Sequence, residues 1–398
     1  MDPVRNPYAP GAGQRPPELA GRDGELEAFE VVLERVARGR PERSIVLTGL
    51  RGVGKTVLLN TLRSQAVRRG WGTGKLEARP EQGLRRPLAA ALHLAVRELG
   101  APKSEADHVL GVLKSFALKV NDSGGKLRDR WQPGIDVPAV AGRADSGDIE
   151  IDLVELLVDV AGLAADRGRG VAVFIDEMQD LGPDDVSALC AAAHEISQTG
   201  LPLVVVGAGL PHLPAVLSAS KSYSERLFRY ARIDRLEREA ADRALSAPAK
   251  EEEAEFTHEA LAAMYEFTAG YPYFVQAYGK VAWDVATRSP ITEDDVRVAA
   301  PEAETELAVG FFGSRYERAT PAEREYLRAM AEVTGEEQGM DDAGVSTSEI
   351  AKALGKRPQS LSPARDSLIK KGLIYSGERG RIAFTVPHFG RYLRRHSD

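Results

Sequence analysis

Over residues 18–236, short uninterrupted apolar runs alternate with longer stretches whose apolar positions recur at helical spacing. Residues 45–47 are one such run, and 57–69 beyond them read as a helix. A second strand is expected over 71–78, followed by helical patterns over 84–99 and 104–119. The next helix is predicted over 148–167, with Ile151, Val154, Leu157, Val158 and Leu163 as its apolar positions. Runs at 171–175, 203–206 and 230–233 complete the strands, with a helix over 184–198. Apolar strands alternating with helices predict an α/β body built on a parallel sheet. From 238 to about 301 the strand signal stops and helical patterns follow one another.

After Phe311-Phe312 the pattern changes again. Thr320-Pro321-Ala322-Glu323 starts a helix running to about 333, and Ser346-Thr347-Ser348-Glu349 caps a short one ending at Gly355. Ser362-Pro363 opens a third that ends at Lys371-Gly372, with the proline suited to a first turn. Two strands, 373–376 and 381–386, flank Gly377-Glu378-Arg379-Gly380. Two stretches fit no period. Residues 1–17 hold five prolines and little apolar material, which predicts an extended lead-in. Residues 121–148, rich in Gly, Pro, Asp and Ser, predict a long flexible excursion from the core. The expected division is therefore 1–17 extended, 18–236 α/β core, 237–312 helical, and 315–398 a separate C-terminal domain.

The chemistry concentrates where the first strand ends. Gly49-Leu50-Arg51-Gly52-Val53-Gly54-Lys55-Thr56 fits G-x-x-x-x-G-K-[ST] at every fixed position, between a predicted strand and a predicted helix. The glycines let the backbone curl so that its N–H groups point at phosphate oxygens, and the positive end of the following helix adds to that field. Lys55 would reach the β- and γ-phosphates, and the Thr56 hydroxyl would ligate Mg2+. Downstream, Val171-Ala172-Val173-Phe174-Ile175 ends in Asp176-Glu177. Asp176 would hold Mg2+ through water, because this hard cation takes oxygen ligands. Glu177 would polarise the attacking water.

The chain of 398 residues is 43% apolar and 28% charged, as a soluble protein of two or three domains would be. No window approaches the ~18 consecutive apolar residues of a membrane span. Met1-Asp2-Pro3-Val4-Arg5-Asn6-Pro7 has no signal-peptide core, so a cytoplasmic protein without a membrane partner is expected. Cys190 is the only cysteine, which excludes intrachain disulfides and cysteine-based metal sites. The net charge of −7 hides an asymmetry: residues 351–398 hold 11 Lys/Arg against 3 Asp/Glu, a basic module on an acidic body.

Several of these segments carry a resemblance. Gly21-Arg22-Asp23-Gly24-Glu25-Leu26, ahead of the phosphate-binding loop, resembles the adenine-side segment of initiator-type AAA+ ATPases and of the signalling ATPases with numerous domains (STAND). By that resemblance Gly21 and Arg22 sit beside the base. Gly270-Tyr271-Pro272-Tyr273-Phe274 is similar to the turn by which the signalling class touches adenine, which implies a contact from Pro272, and the helical region then corresponds to a lid. No arginine stands close to this turn, where the initiator class has its lid sensor. After the strand at 203–206, where AAA+ proteins place a polar sensor of the γ-phosphate, this chain has Gly207-Ala208-Gly209-Leu210-Pro211 and so departs from the pattern. Arg226, with Arg229 behind it, matches the position from which oligomeric AAA+ ATPases reach into a neighbour's site. An intramolecular ion pair with Glu225 or a nearby acid is the alternative.

In their order the segments resemble AAA+ ATPases of the origin-recognition and archaeal-type group. The resemblance implies a five-stranded parallel sheet in the AAA+ order, a helical lid, a C-terminal winged helix, Mg2+-dependent hydrolysis of ATP, and a homo-oligomer through the ATPase core. ATP over GTP rests on the resemblance, and no Asn-Lys-x-Asp run is present.

Three helices and a two-stranded hairpin make a winged helix-turn-helix, in which the third helix enters the major groove and the wing touches the backbone. Gln359, Ser360, Arg365, Lys370 and Lys371 would be exposed for this, with Arg379 and Arg381 in the wing. The basic balance of the tail suits phosphate contact with double-stranded DNA. Two functions stay open: a DNA-binding ATPase whose nucleotide state controls the winged helix, and a signalling switch whose winged helix contacts an unknown protein partner.

Overall fold

The computed structural model describes residues 1–11, 13–118, 135–313, 316–335, 344–376, 381–386 and 388–395. They divide into two bodies. One comprises Arg22–Gly49 with Lys55–Ile233, and the other Met1–Gly21, Leu50–Gly54 and Asp234–Asp398.

The first body is organised on five strands: β1 (Ser44–Thr48), β2 (Gly72–Glu77), β3 (Val171–Asp176), β4 (Leu203–Gly209) and β5 (Phe228–Arg232). All pairings are parallel, in the order β2–β3–β4–β1–β5, which is the AAA+ order expected. Gly207 of β4 stands between Val46 of β1 and Ile175 of β3. Strands β1, β3 and β4 are buried along their whole length, so they read in the sequence as continuous apolar runs rather than alternations. The helices are α1 (Asp23–Ala37), α2 (Lys55–Arg68), α3 (Arg85–Glu98), α4 (Lys103–Leu118), α5 (Ile149–Asp166), α6 (Pro183–Thr199), α7 (Leu213–Ser220) and the single turn α8 (Ser224–Leu227).

β2 gives the weakest strand signal because it begins Gly72-Thr73-Gly74. A Cβ at Gly72 would stand 2.5 Å from the Ala95 carbonyl of α3, and one at Gly74 would stand 2.8 Å from that of Ala91. The close strand–helix approach therefore requires glycine. On α5, Asp148 caps the helix by accepting from Glu150 N (2.8 Å). The buried stripe runs through Leu153, Leu156, Leu157 and Val160, while Ile151 is 52% exposed and belongs to the outer face.

The described part of the excursion, 135–148, is packed on α4 and α5 within the same body. Lys114 Nζ donates to the carbonyls of Ile135 (3.0 Å) and Val137 (2.9 Å), and Ser115 Oγ to that of Val140 (2.6 Å). Arg143 pairs with Asp159 at 2.7 Å. The fully buried Asp152 accepts from Ser146 N (2.8 Å) and from Arg85 (2.7 Å). Backbone carbonyls and charges hold this segment, and such contacts leave no hydrophobic period.

The second body contains α9 (Arg238–Glu251), α10 (His258–Thr268), α11 (Pro272–Val285) and α12 (Glu293–Leu307), followed by a π-helical turn over Ala308–Gly313. α12 continues through Pro301, beyond the boundary the sequence gives. The C-terminal region is winged-helix-like: α13 (Pro321–Thr334), α14 (Thr347–Ala353), α15 (Ser362–Lys370), an antiparallel hairpin of β6 (Ile374–Ser376) and β7 (Ile382–Phe384), then α16 (Phe389–Arg395). Capping boxes at Thr320/Glu323 and Ser346/Glu349 start α13 and α14, as their sequences predict. α16 carries no cap in the sequence and was not expected. Of the 1–17 stretch, residues 6–9 lie against α9 and α11 of this body. Tyr8 is 4% exposed, its hydroxyl donates to Leu245 O (2.5 Å), and Asn6 Nδ2 donates to Lys280 O (2.9 Å). Together with Arg5 on Glu252 (2.9 Å) and Trp283 Nε1 donating to Asp2 O (2.9 Å), these side chains fix a segment that composition marks only as proline-rich.

Candidate nucleotide site

The strand–loop–helix motif is anchored at both flanks. Gly49 N donates to Gly209 O (3.2 Å) at the end of β4, and Ile233 N to Thr48 O (2.7 Å) at the end of β5. Gly52 and Gly54 hold φ of 85° and 90°, a region that favours glycine, so the loop's curl depends on both. Among the described residues nothing lies within 4 Å of a Cβ position on Gly54. Lys55, the first residue of α2, is buried and its Nζ donates to Gly49 O at 2.9 Å. Thr56 follows in the same turn, half-buried.

Asp176 closes β3, 6% exposed, with Oδ1 accepting from Glu177 N at 3.0 Å. Glu177 itself is left-handed (φ 48°, ψ 42°) and leads into a short 3-10 turn, Met178–Asp180. Its Oε2 accepts from Gln179 Nε2 at 2.7 Å, and Gln179 Oε1 accepts in turn from Leu210 N at 3.1 Å. Sequence reasoning missed Gln179, although its place two residues beyond the acidic pair was a visible signal. His212, just beyond this backbone, is half-buried; among the described residues its Nδ1 has no hydrogen-bond partner, and burial lowers the ring's pKa.

Residues Leu50–Gly54 belong to the second body and make their contacts there. The Tyr271 hydroxyl donates to the Arg51 carbonyl and lies 3.4 Å from Thr385 O, just past β7. Tyr273 N donates to Gly52 O at 3.3 Å. A Cβ on Gly52 would stand 2.9 Å from the Tyr271 ring and 3.3 Å from Phe311. The Arg51 guanidinium packs against Gly372, where a Cβ would meet Nη2 at 2.7 Å. Arg51 is expected among the nucleotide-binding residues of the loop, and the structure also gives it a contact with the winged-helix-like region.

The remaining candidates are placed as follows. Gly21 (φ 67°) packs on α9, with a Cβ there 2.9 Å from Ala240, while the buried Arg22 precedes α1. Pro272 is the first residue of α11. Arg226 is exposed on α8 and, among the described residues, has no ion pair, so the pair with Glu225 does not form. In the C-terminal region Gln359, Ser360 and Lys370 are exposed. Lys371 is used internally, donating to the nearly buried Glu323 (2.6 Å) and to Arg318 O (3.0 Å). Arg365 pairs with Asp366 (2.9 Å), and Arg381 donates to Gly344 O (2.9 Å) beside Glu349 (3.9 Å). Arg379 lies outside the described residues.

Chemically, the curled glycine loop, the lysine at its end and the helix that follows fit a polyphosphate. Thr56 and Asp176 carry oxygen atoms of the kind a hard divalent cation takes as ligands. Among the described residues no cluster of three or more His, Cys, Asp or Glu side chains could cage a metal alone, so a cation here would need water and phosphate oxygens as well. No helix among the described residues is long and apolar enough to cross a membrane.

Comparison with known proteins agrees with this geometry. The model of a family described as the AAA ATPase domain matches residues 18–206, and that of a domain of unknown function (DUF8462) matches 309–393. No curated protein sequence matches the chain. Among solved structures, the Walker-type ATPase of Pyrococcus abyssi aligns at 16% identity over 96% of this chain and 97% of its own, with a TM-score of 0.59. Cdc6p from Pyrobaculum aerophilum aligns at 15% identity over 99% and 97%, with a TM-score of 0.47. The Orc1 protein of Aeropyrum pernix, in complex with DNA, aligns at 15% identity over 96% and 94%, with a TM-score of 0.46. At such identities the first of these likenesses speaks for the fold alone. The parallel sheet in AAA+ order and the loop in its strand–helix setting agree with the match of residues 18–206 to the AAA ATPase domain model.

Proposed function

We propose that the chain is an ATP-binding, Mg2+-dependent ATP-hydrolysing switch that transmits its nucleotide state to a C-terminal winged helix, which binds double-stranded DNA. In this reading 18–236 is the ATPase core, 237–312 its lid and 315–398 the DNA module. Gly49, Leu50, Arg51, Gly52, Val53, Gly54, Lys55 and Thr56 take the phosphates, and Gly21, Arg22 and Pro272 line the base. Thr56 and Asp176 hold Mg2+, which supplies charge neutralisation on the phosphates when bound. Glu177 orients and polarises the attacking water. Arg226, exposed and without an ion pair among the described residues, serves a neighbouring copy in a homo-oligomer. A cytoplasmic location fits.

The observation that carries the coupling is Tyr271. Its hydroxyl sits between the carbonyl of Arg51, inside the phosphate-binding loop, and that of Thr385, in the C-terminal region. A loop that changes shape on taking phosphate must strain or release that bond and the seat of Arg51 on Gly372. Both states of the loop then differ in what they offer the winged helix, which is the condition for a switch.

The DNA surface is narrower than the charge balance implies. Arg365, Lys371 and Arg381 are engaged internally, and Arg391 and Arg395 both pair with Glu304 of α12 (3.2 and 2.6 Å). Gln359, Ser360 and Lys370 remain, with Lys352 and Arg357 exposed near them. The same internal neutralisation favours the second reading, in which the winged helix contacts a protein partner. Duplex binding by the full chain, measured by anisotropy at several salt concentrations without nucleotide, with ADP and with a slowly hydrolysed ATP analogue, decides between them. Binding that differs among the three states supports the DNA switch. No binding at low salt in any state overturns it in favour of the protein-contact reading.

A further inference from the structure

We infer that Gln179 is a positioning residue of the hydrolytic site, standing in for the polar side chain that the end of β4 lacks. The inference rests on the proposed role of Glu177.

The amide is held at both ends by groups of fixed polarity. Its NH2 faces a carboxylate oxygen of Glu177 at 2.7 Å and its carbonyl faces the Leu210 N–H at 3.1 Å. Only one orientation of the amide satisfies both partners. The turn that presents it is also fixed: Glu177 is left-handed, Asp180 N closes on Glu177 O at 2.9 Å, and Leu181 N on Met178 O at 3.3 Å. Glu177 is thereby tied through one side chain to the backbone directly after β4.

The glycines of β4 have the same explanation. A Cβ on Gly209 would stand 2.7 Å from Gln179 Oε1 and 2.7 Å from Leu213, and one on Gly207 would collide with Met178 Sδ. The Met178–Gln179 turn occupies the space that a side chain rising from the strand end would need. A polar group at that place must therefore come from the turn, and Gln179 is the one that arrives. It differs from a side chain on the strand in holding the carboxylate directly, so any displacement of the 209–210 backbone is passed to Glu177. Gly209 O also accepts from Gly49 N (3.2 Å), which links the same corner to the first residue of the phosphate-binding loop.

The test compares Gln179→Leu, Gln179→Glu, Glu177→Gln and the Gln179→Leu/Glu177→Gln pair in the full-length protein, by single-turnover and steady-state ATP hydrolysis with ATP affinity measured separately. Gln179→Leu should lower kcat roughly 10- to 100-fold, the usual cost of a misplaced catalytic group, with ATP affinity within about twofold of wild type. On the Glu177→Gln background it should add no further loss, because it acts through that carboxylate. Gln179→Glu sets two carboxylates side by side and should raise the acidic limb of the kcat–pH profile, which a packing defect would not do. A kcat unchanged in Gln179→Leu, or one that falls further on the Glu177→Gln background, overturns the inference while the role of Glu177 stands. Wild-type hydrolysis by Glu177→Gln overturns both.

Discussion

The phosphate-binding loop and the basic C-terminal region announced themselves in different ways, one by spacing and the other by charge. Spacing survives folding, because eight consecutive residues between a strand and a helix have little choice of where to put a lysine and three glycines. Charge does not survive in the same way. Of the cations in 351–398, Lys356, Arg365, Lys371, Arg381, Arg391 and Arg395 meet carboxylates of Glu325, Asp366, Glu323, Glu349 and Glu304. A sum over the sequence counts them as available for a partner, whereas the structure spends most of them on holding the domain and α12 together.

The comparison breaks most visibly if the loop is not what its spacing implies. Lys55→Ala should lose more than tenfold in ATP affinity, since a buried cation leaves the phosphate pocket. Glu177→Gln should bind ATP as the wild type does and lose roughly 100-fold or more in turnover, the contribution expected of a group that orients water. Calorimetric titration and phosphate release separate the two. Equal turnover for Glu177→Gln and wild type would remove the catalytic assignment.

What the sequence could reveal follows the same division. The strands β1, β3 and β4, the loop and the Asp176-Glu177 end are all local patterns, and each was legible. So were the capped helices α13 and α14, whose Thr and Ser starts are local hydrogen bonds. What stayed hidden depends on contacts distant in sequence: the Gly72 and Gly74 approach to α3, Tyr8 against α9, the seat of Arg51 on Gly372, and Gln179 bridging to Leu210. The departure at Gly207-Ala208-Gly209 was visible as an absence, and its cause needed the turn beside it.

A second experiment sharpens the charge side of the comparison. Glu323 is 4% exposed and accepts from Lys371 as well as from Thr320 N at 2.7 Å. Burial by itself would raise its pKa, but the Lys371 ammonium and the hydrogen bonds from Ser367 and Thr320 outweigh that and hold it below the ordinary value. A carboxylate with a depressed pKa contributes stability that is complete above its ordinary range and is lost as pH falls through the folded value. Lys371→Ala should therefore cost about 1–3 kcal/mol near neutrality, and the gap from wild type should close as the solution is acidified below that range. Lys370→Ala, exposed one residue earlier, should fall within about 0.5 kcal/mol of wild type. Equal losses for the two would mean that Lys371 is no more structural than its neighbour.

Tyr271→Phe probes the place where the two regions meet in one body. It keeps the ring on Gly52 and removes only the hydroxyl, so the thermodynamic effect should be about 0.5–1.5 kcal/mol. The expected outcome is a smaller difference in duplex affinity between the nucleotide-free and ATP-analogue states, with both affinities still measurable. A difference as large as that of the wild type would place the coupling elsewhere.

The smallest effect is the most diagnostic for the surface. Each phosphate neutralised on a duplex releases condensed counterions, so log affinity falls linearly with log salt by about 0.9 per contact. If Lys370 touches a phosphate, Lys370→Ala should make that slope shallower by about one contact and weaken all duplex sequences alike. Lys371→Ala, whose ammonium is already on Glu323, should leave the slope unchanged provided the measurement is made where the variant remains folded. Gln359→Ala, which removes no charge, should leave the slope alone too, and would alter the preference among sequences if the amide reads a base edge. A slope that responds to Lys371 and not to Lys370 would reverse the assignment made from the ion pairs. It would mean that the Glu323–Lys371 pair opens to meet DNA, and that the charge sum of the sequence was after all the better guide to this surface.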